Sequence, residues 1–334
     1  MENLPFFYKD QDTTFTADRC NSLINAVEDG KIHLRALTRD GYPGDELNKT
    51  DLPGILPVGH WDAAGKQDWG LATHRNEGIE LTFLERGKLD FRANDRDYTL
   101  KPGDITIARP WQPHSLGKPN ISSCRLHWVI LDVQVRQPHN TWQWPDWLIL
   151  TEEDRDRLTT LLSHNETPVW RANKEIKSCV IQIAKVLQAK DETCKISRLA
   201  LLINHLFLSV LEMLSNNEIT LEPELSSTQR TVELFLESLR NNNSLLGQQW
   251  NATTMSKHCE VGLTRFYNLC QKTTNMTPIQ YLNFYRIEMA AEMLKNNPDL
   301  TVTKTAFACG FNSSQYFATA FKQQKGCSPR DYRK

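Results

Sequence analysis

The sequence predicts an α+β chain of several domains: a small β-barrel or jelly roll, a helical hairpin, and an all-α C-terminal block. Three observations predict it. From about residue 31 to 135, apolar residues alternate in short runs: Ile79, Leu81 and Phe83; Ile105 and Ile107; Leu126, Trp128 and Ile130. That period of two belongs to strands packed on one face. After Trp147 the period changes, and Ile176, Cys179, Val180, Ile183 and Leu187 fall on one helical face. From Ser226 the chain breaks into short helices punctuated by capping residues, Gly and Pro. At 334 residues, two or three domains are the natural division.

The elements follow in order. Residues 1–30 read as an arm containing Pro5-Phe6-Phe7-Tyr8, then a short helix near Asp18–Glu28. The turns Arg86-Gly87-Lys88 and Lys101-Pro102-Gly103-Asp104 separate strands, and many short strands of this kind suggest a barrel or jelly roll. Trp142-Gln143-Trp144-Pro145-Asp146-Trp147 is expected to cover the barrel where it meets the hairpin. The hairpin's second helix, Ser197 to Leu214, follows a polar break at Lys190–Lys195 and is apolar around most of its circumference. Its surplus face, around Leu202, Leu206 and Val210, reads either as a homodimer surface or as burial beneath the C-terminal block. Asn216 to Ser227, with Pro223, is a polar linker. The expected domains are therefore 1–150, 151–225 and 226–334.

In the last block, helices are expected at Thr228–Asn241, Thr254–Cys259, Leu263–Thr273, from Pro278 to Asn296-Asn297-Pro298, at Val302–Cys309, at Ser313–Lys325, and from Ser328-Pro329 onward. Thr277 can cap the long fourth helix, with Pro278 at its first position; Pro298 stops it. Helices two and three, and again five and six, make helix–tight turn–helix units. In such a unit the second helix enters a major groove and the first braces it. Phe266, Leu269 and Cys270 fall on the inner face of helix three, leaving Thr264, Arg265, Tyr267, Asn268 and Lys272 outward. In helix six Phe317 and Phe321 are inner, and Ser314, Gln315, Thr319 and Lys322 are outer. Each outer set mixes groups that read base edges with groups that bind phosphate.

Charge agrees with that division. Residues 226–334 carry 13 Lys and Arg against 7 Asp and Glu, a balance of +6, whereas residues 1–225 carry −7. A basic block on an acidic body suits a polyanion at that end. Met1–Asp10 lacks the basic and apolar regions of a secretory signal. The richest apolar stretch, Leu199 to Leu214, is interrupted by Asn204, His205, Ser209 and Glu212 and is too short for a membrane span. The eight cysteines show no CxxC pair and no zinc spacing. Small buried thiols in a reduced, cytoplasmic protein are expected.

Residues 226–334 resemble the DNA-binding domain of the AraC/XylS family of transcription regulators. The resemblance rests on Thr301-Val302-Thr303-Lys304-Thr305-Ala306-Phe307-Ala308-Cys309-Gly310-Phe311-Asn312-Ser313-Ser314-Gln315-Tyr316-Phe317, followed by Phe321-Lys322, Gly326, Ser328-Pro329 and Tyr332-Arg333. Ser256, Gly262 and Asn275 depart from that family's usual Ala, Ser and Gly. The resemblance implies a double helix-turn-helix, promoter DNA as partner, association with the nucleoid when bound, and RNA polymerase as a further partner.

Residues 74–114 resemble a cupin. His74, Glu80 and Gly87 follow its first motif with Asn76 in place of the second His; Gly103 and His114 keep the spacing of its second. That resemblance implies an N-terminal cupin-like barrel with an effector pocket at its mouth. Trp69, His74, Glu80, Arg109, Trp111, His114 and His127 are the effector-binding candidates, with Trp128 read as core. Aromatic faces beside charged hydrogen-bonding groups suit a sugar or another small polar molecule. His74, Glu80 and His114, with Asn76 as a weak fourth, would also make a two-His-one-carboxylate metal set. This is the basis of the alternative, a metal-dependent cupin enzyme fused to a DNA-binding module. The reading taken is an effector-responsive regulator, not an enzyme, with no catalytic residue, metal or other cofactor assigned and no membrane association.

Overall fold

The computed structural model describes residues 6–10, 13–17, 21–39, 42–94, 96–189, 193–297 and 299–333. Pro5, Asp18–Cys20, Lys190–Glu192 and Pro298, which several expectations touch, lie outside them. The chain divides into two compact units, Met1–Ser226 and Ser227–Lys334.

The first unit opens with the paired strands β1 (Phe6–Asp10) and β2 (Thr13–Ala17), then α1 (Asn21–Glu28), which buries Leu23 and Ala26. The strands that follow are β3 (His33–Thr38), β4 (Asp45–Glu46), β5 (Ile55–Ala63), β6 (Leu71–His74), β7 (Ile79–Gly87) and β8 (Leu89–Ala93). Next come β9 (Arg96–Leu100), β10 (Asp104–Ala108), β11 (His114–Leu116), β12 (Cys124–Leu131) and, after α2 (Glu152–Ser163), β13 (Val169–Arg171). They form a seven-stranded sheet, β13-β10-β7-β12-β5-β3-β4, and a four-stranded sheet, β6-β11-β8-β9. The expected strands thus make two sheets rather than one closed barrel.

The large sheet is buried on both faces. Leu84, Trp61, Leu126, Trp128 and Ile130 join a core with residues of the small sheet such as Leu89, Phe91 and Leu116. Their alternates Leu81, Phe83, Ile105, Val129 and Leu131 join a second core with the helices. The helices of that core include α3 (Lys174–Gln188) and α4 (Lys195–Ser215). α3 presents Ile176, Cys179, Val180, Ile183 and Leu187, all buried, as its period requires. Trp142, Trp144 and Trp147 pack on the same core; Trp144 meets Phe207 edge-on at 5.9 Å.

The surplus face of α4 is not the one expected from the sequence. Leu206 and Val210 are fully buried and Leu202 is half-buried, whereas Leu201 is 66% and Leu208 39% exposed. The sheet-side core absorbs the wider stripe, since α4 packs on α2 as well as α3. α4 also proves longer than its apolar stretch. Its 21 residues are long and apolar enough to cross a membrane by length and composition, although much of that surface serves the core.

The second unit is α5 (Thr228–Asn241), α6 (Asn243–Leu246), α7 (Ala252–His258), α8 (Leu263–Thr274), α9 (Pro278–Asn296), α10 (Val302–Ala308), α11 (Ser314–Lys325) and α12 (Pro329–Tyr332). Caps set the boundaries. Ser227, Asn251, Thr277, Thr301, Ser313 and Ser328 each accept a bond from the backbone N–H three residues on, and Asn251 and Thr277 complete capping boxes. Two cores result, one around Phe235, Met255, Phe266 and Tyr281, the other around Ile287, Ala306, Phe317 and Phe321.

Candidate functional site

The second unit contains the same device twice. In the first copy Cys259 N–H bonds Met255 O and Val261 N–H bonds Ser256 O. In the second, Cys309 N–H bonds Thr305 O and Phe311 N–H bonds Ala306 O. The residue between them is left-handed in both: Glu260 at φ 53° and Gly310 at φ 80°. This closes each first helix in a tight turn. Phe266 and Phe317, each four residues after its N-cap, are wholly buried and set the inner face of α8 and α11.

The outer faces follow from that. Thr264, Arg265, Tyr267, Asn268 and Lys272 are all exposed on α8, and Gln315, Thr319 and Lys322 on α11; Ser314 is half-buried. Gln315 is shaped locally, its Oε1 accepting from the Ser313 hydroxyl at 3.0 Å. Lys272 Nζ donates to Gln229 Oε1 of α5 at 3.1 Å. Tyr316, 53% exposed with its hydroxyl accepting from Asn283 Nδ2 at 2.8 Å, shares this face and was not picked out from the sequence. Its aromatic character was the misleading signal, because it directly precedes the inner-face Phe317.

One buried side chain joins the segment that leads into the first copy to the turn of the second. Arg286 of α9 is 5% exposed and donates to the carbonyls of Leu246 and Gln248, beside α6. Its guanidinium also lies 5.7 Å from the Phe311 ring centroid, and a Cβ on Gly310 would meet Arg286 Nη2 at 2.5 Å. Burial holds its pKa down at about 10, so it stays charged at neutral pH.

In the first unit, a cavity of about 30 Å³ lies between the two sheets. It is lined by the apolar Leu23, Trp61, Leu71, Leu116, Leu126, Trp128 and Ile130 and by the polar Tyr42, His74, Asn76 and Glu80. Glu80 accepts from Thr82 Oγ1 at 2.7 Å, from Asn76 Nδ2, and from His114 Nε2 at 3.0 Å. Burial alone would raise the Glu80 pKa, but the charge and hydrogen bond of His114, with His74 and Thr82, hold it down at about 2. Burial would lower the pKa of His114, yet Glu80 outweighs it and raises it. His114 thus faces an acceptor at each ring nitrogen, Glu80 at Nε2 and the Gln112 carbonyl at Nδ1, at the polar end of an otherwise apolar cavity.

Of the seven pocket candidates, His74 and Glu80 line this cavity and His114 backs it. The other four do not. Trp69 is half-buried behind the wall, its ring 5.9 Å from Trp61. Arg109 pairs with Glu166 at 2.6 Å. Trp111, left-handed at φ 63°, donates to Val135 O and packs on the helix-side core. His127 points to the opposite face of β12, toward α3, and bonds Glu85 at 2.6 Å. Tyr42 and Trp61 are wall residues the sequence did not reveal, Tyr42 because it follows no periodic strand.

A cupin-like fold implies a metal in some members. His74, Glu80 and His114 bring ligand atoms within 4.8 Å of one another. The set is nevertheless closed on itself. Glu80 already accepts from Thr82, Asn76 and His114, and Asn76, where the motif has a second histidine, turns an amide donor toward the carboxylate. The residues fit an internal ion pair better than a metal centre.

Comparison with known proteins covers both units. A family model described as an AraC-like ligand binding domain matches residues 62–206, and one described as a helix-turn-helix domain matches residues 255–334. The chain thus joins an AraC-like ligand binding domain to a helix-turn-helix domain, the arrangement that its resemblance to the AraC/XylS family implies. It is 27% identical over 265 residues to the HTH-type transcriptional activator RhaR of Cronobacter sakazakii, covering 78% of this chain and 86% of the relative. The activator RhaS of Escherichia coli strain SE11 is 27% identical over 261 residues, with 78% and 86% covered. A crystal structure of ToxT from Vibrio cholerae covers 91% of this chain and 97% of its own at 10% identity, with a TM-score of 0.33. The chain is a DNA-binding transcription regulator with an AraC-like ligand-binding domain.

Proposed function

We propose that this AraC/XylS regulator reads promoter DNA with the outer faces of α8 and α11 and works as a cytoplasmic homodimer. A small polar effector, a sugar among the candidates, would be sensed between the two sheets. The observation that carries the reading is the repeated device: two turns of one build, each presenting polar side chains on its second helix. Ser314, Gln315, Thr319 and Lys322 in one copy, and Thr264, Arg265, Tyr267, Asn268 and Lys272 in the other, are the proposed contacts. Relatives named as activators favour RNA polymerase as a further partner at the promoter.

Gln315 and Lys322 test this reading. A Gln side chain matches adenine N6 and N7 in the major groove. Gln315→Ala should cost about 1–3 kcal/mol on the selected site and little on random DNA. Lys322→Ala should weaken both alike and reduce the salt slope by about one unit. Selection from a random DNA pool reads the difference. Undiminished preference at every position by the Gln315→Ala protein would remove Gln315 from the interface.

The dimer surface is the exposed side of the hairpin. A cleft of about 450 Å³ runs between α3 and α4, lined by Gln182, Lys185, Val186, Ala189, Arg198, Leu201 and Leu202. For the effector, His74, Asn76 and Glu80 supply hydrogen bonds beside the faces of Trp61 and Trp128. The enclosed space is far below the roughly 300 Å³ of a ligand pocket. Binding must therefore move the wall, which is how an effector would favour one arrangement over another.

A further inference from the structure

We propose that His164 is the positioning residue through which the cavity controls the segment leading to the DNA-binding unit. This rests on reading that cavity as the sensor site. His164 caps the C-terminus of α2. Its carbonyl accepts from Glu222 N–H at 2.7 Å, and its Nε2 lies 2.7 Å from Ser226 Oγ. The linker is thus gripped at two points immediately before the second unit begins at Ser227.

The two residues after His164 are held from the other side. Asn94 Nδ2 donates to Glu166 O at 3.0 Å, and the Arg109 guanidinium donates to Asn165 O at 3.1 Å and to Glu166 Oε1 at 2.6 Å. Both holding residues are themselves fixed by Gln112. Its Nε2 donates to Asn94 Oδ1 at 3.0 Å and its Oε1 accepts from Arg109 N–H at 3.1 Å. Gln112 then reaches the cavity. Its carbonyl accepts from His114 Nδ1 at 2.9 Å, and His114 Nε2 holds Glu80.

Every link is polar; the cavity end is buried, with Gln112 4% and His114 2% exposed, and Asn94, Arg109, Glu166 and His164 are half-buried. A bond broken in such surroundings leaves an unpaired buried group, so a displacement at Glu80 is passed on rather than absorbed. Spatial continuity alone does not establish coupling. The proposal therefore stands on a non-additive effect between the two ends.

Hydrogen exchange of the full chain, followed over residues 216–227, is the experiment. Glu80→Gln should speed exchange of those amides about fivefold, the worth of one net hydrogen bond. In a His164→Ala background that response should vanish around Ser226, and His164→Gln, which keeps a side-chain donor, should restore it. If Glu80→Gln prevents folding, Gln112→Ala takes its place. Ile121→Val, a fully buried position away from this path, controls for general loosening and should leave residues 216–227 at the wild-type rate. Wild-type exchange in Glu80→Gln, an undiminished response without His164, or equal acceleration by Ile121→Val would each overturn the proposal. The readout uses neither DNA nor effector. Failure of the sensor reading would appear separately, as an absence of ligand-induced stabilisation.

Discussion

Replacing Arg286 with Ala is expected to cost the second unit about 3–5 kcal/mol and to abolish DNA binding by the chain. The Leu246 and Gln248 carbonyls would lose a charged donor, at roughly 1–3 kcal/mol for each group left unpaired. The Phe311 ring would also lose its cation, worth about 1–2 kcal/mol when desolvated. Since a domain's whole stability is about 5–15 kcal/mol, a large fraction would go. Gly310→Ala is expected to act in the same place. Its backbone is left-handed at φ 80°, and the added methyl would press on Arg286 Nη2 at 2.5 Å and Gly247 O at 2.7 Å. Thermal unfolding followed by circular dichroism checks both. A loss under about 1 kcal/mol in both variants would mean that α9 does not depend on this anchor.

Leu206→Glu and Leu201→Glu should part sharply, although the two residues lie on one helix. Leu206 is fully buried in the core shared by sheet and helices. A carboxylate there must be desolvated without a partner, and we expect a cost of about 5 kcal/mol or more, enough to unfold the first unit. Leu201 is 66% exposed beside the α3–α4 cleft. Its replacement should change stability by only about 0.5 kcal/mol while weakening self-association at least about tenfold, as expected for a buried interface anchor. Circular dichroism and sedimentation separate the outcomes. A folded, monomeric Leu206→Glu protein would restore the surface first read from the sequence.

That contrast shows where sequence reading reached its limit. Period 3.6 identified α4 as apolar nearly all round, but it could not say which neighbours would take which stripe. α2, whose apolar positions are few, packs on α4 and was not identified as a helix. The C-terminal unit was far more legible. The helix expected at about Thr228–Asn241 has those bounds, and the long helix starts at Pro278 and ends at Asn296, within the stretch expected, because caps and prolines encode boundaries locally. α6, a single turn at Asn243–Leu246, has no periodic signal. In the cavity the expectation for β12 is reversed: Trp128, read as core, lines the cavity with Leu126 and Ile130, whereas His127, read as a pocket residue, lies against Phe83 on the helix side, as strand parity would have told. Arg109 and Trp111 sit in the irregular turn between β10 and β11, where no period applies and only the tertiary contacts to Glu166 and Val135 fix their direction.

Sequence-specific DNA binding is expected to reside in the second unit. The most direct test compares residues 227–334 with residues 1–226 in DNA binding across a salt series. The fragment 227–334 should bind alone, with affinity falling steeply as salt rises because bound phosphates release counterions, and residues 1–226 should not bind. Equal binding by both fragments, or salt-independent binding by the C-terminal one, would contradict the account.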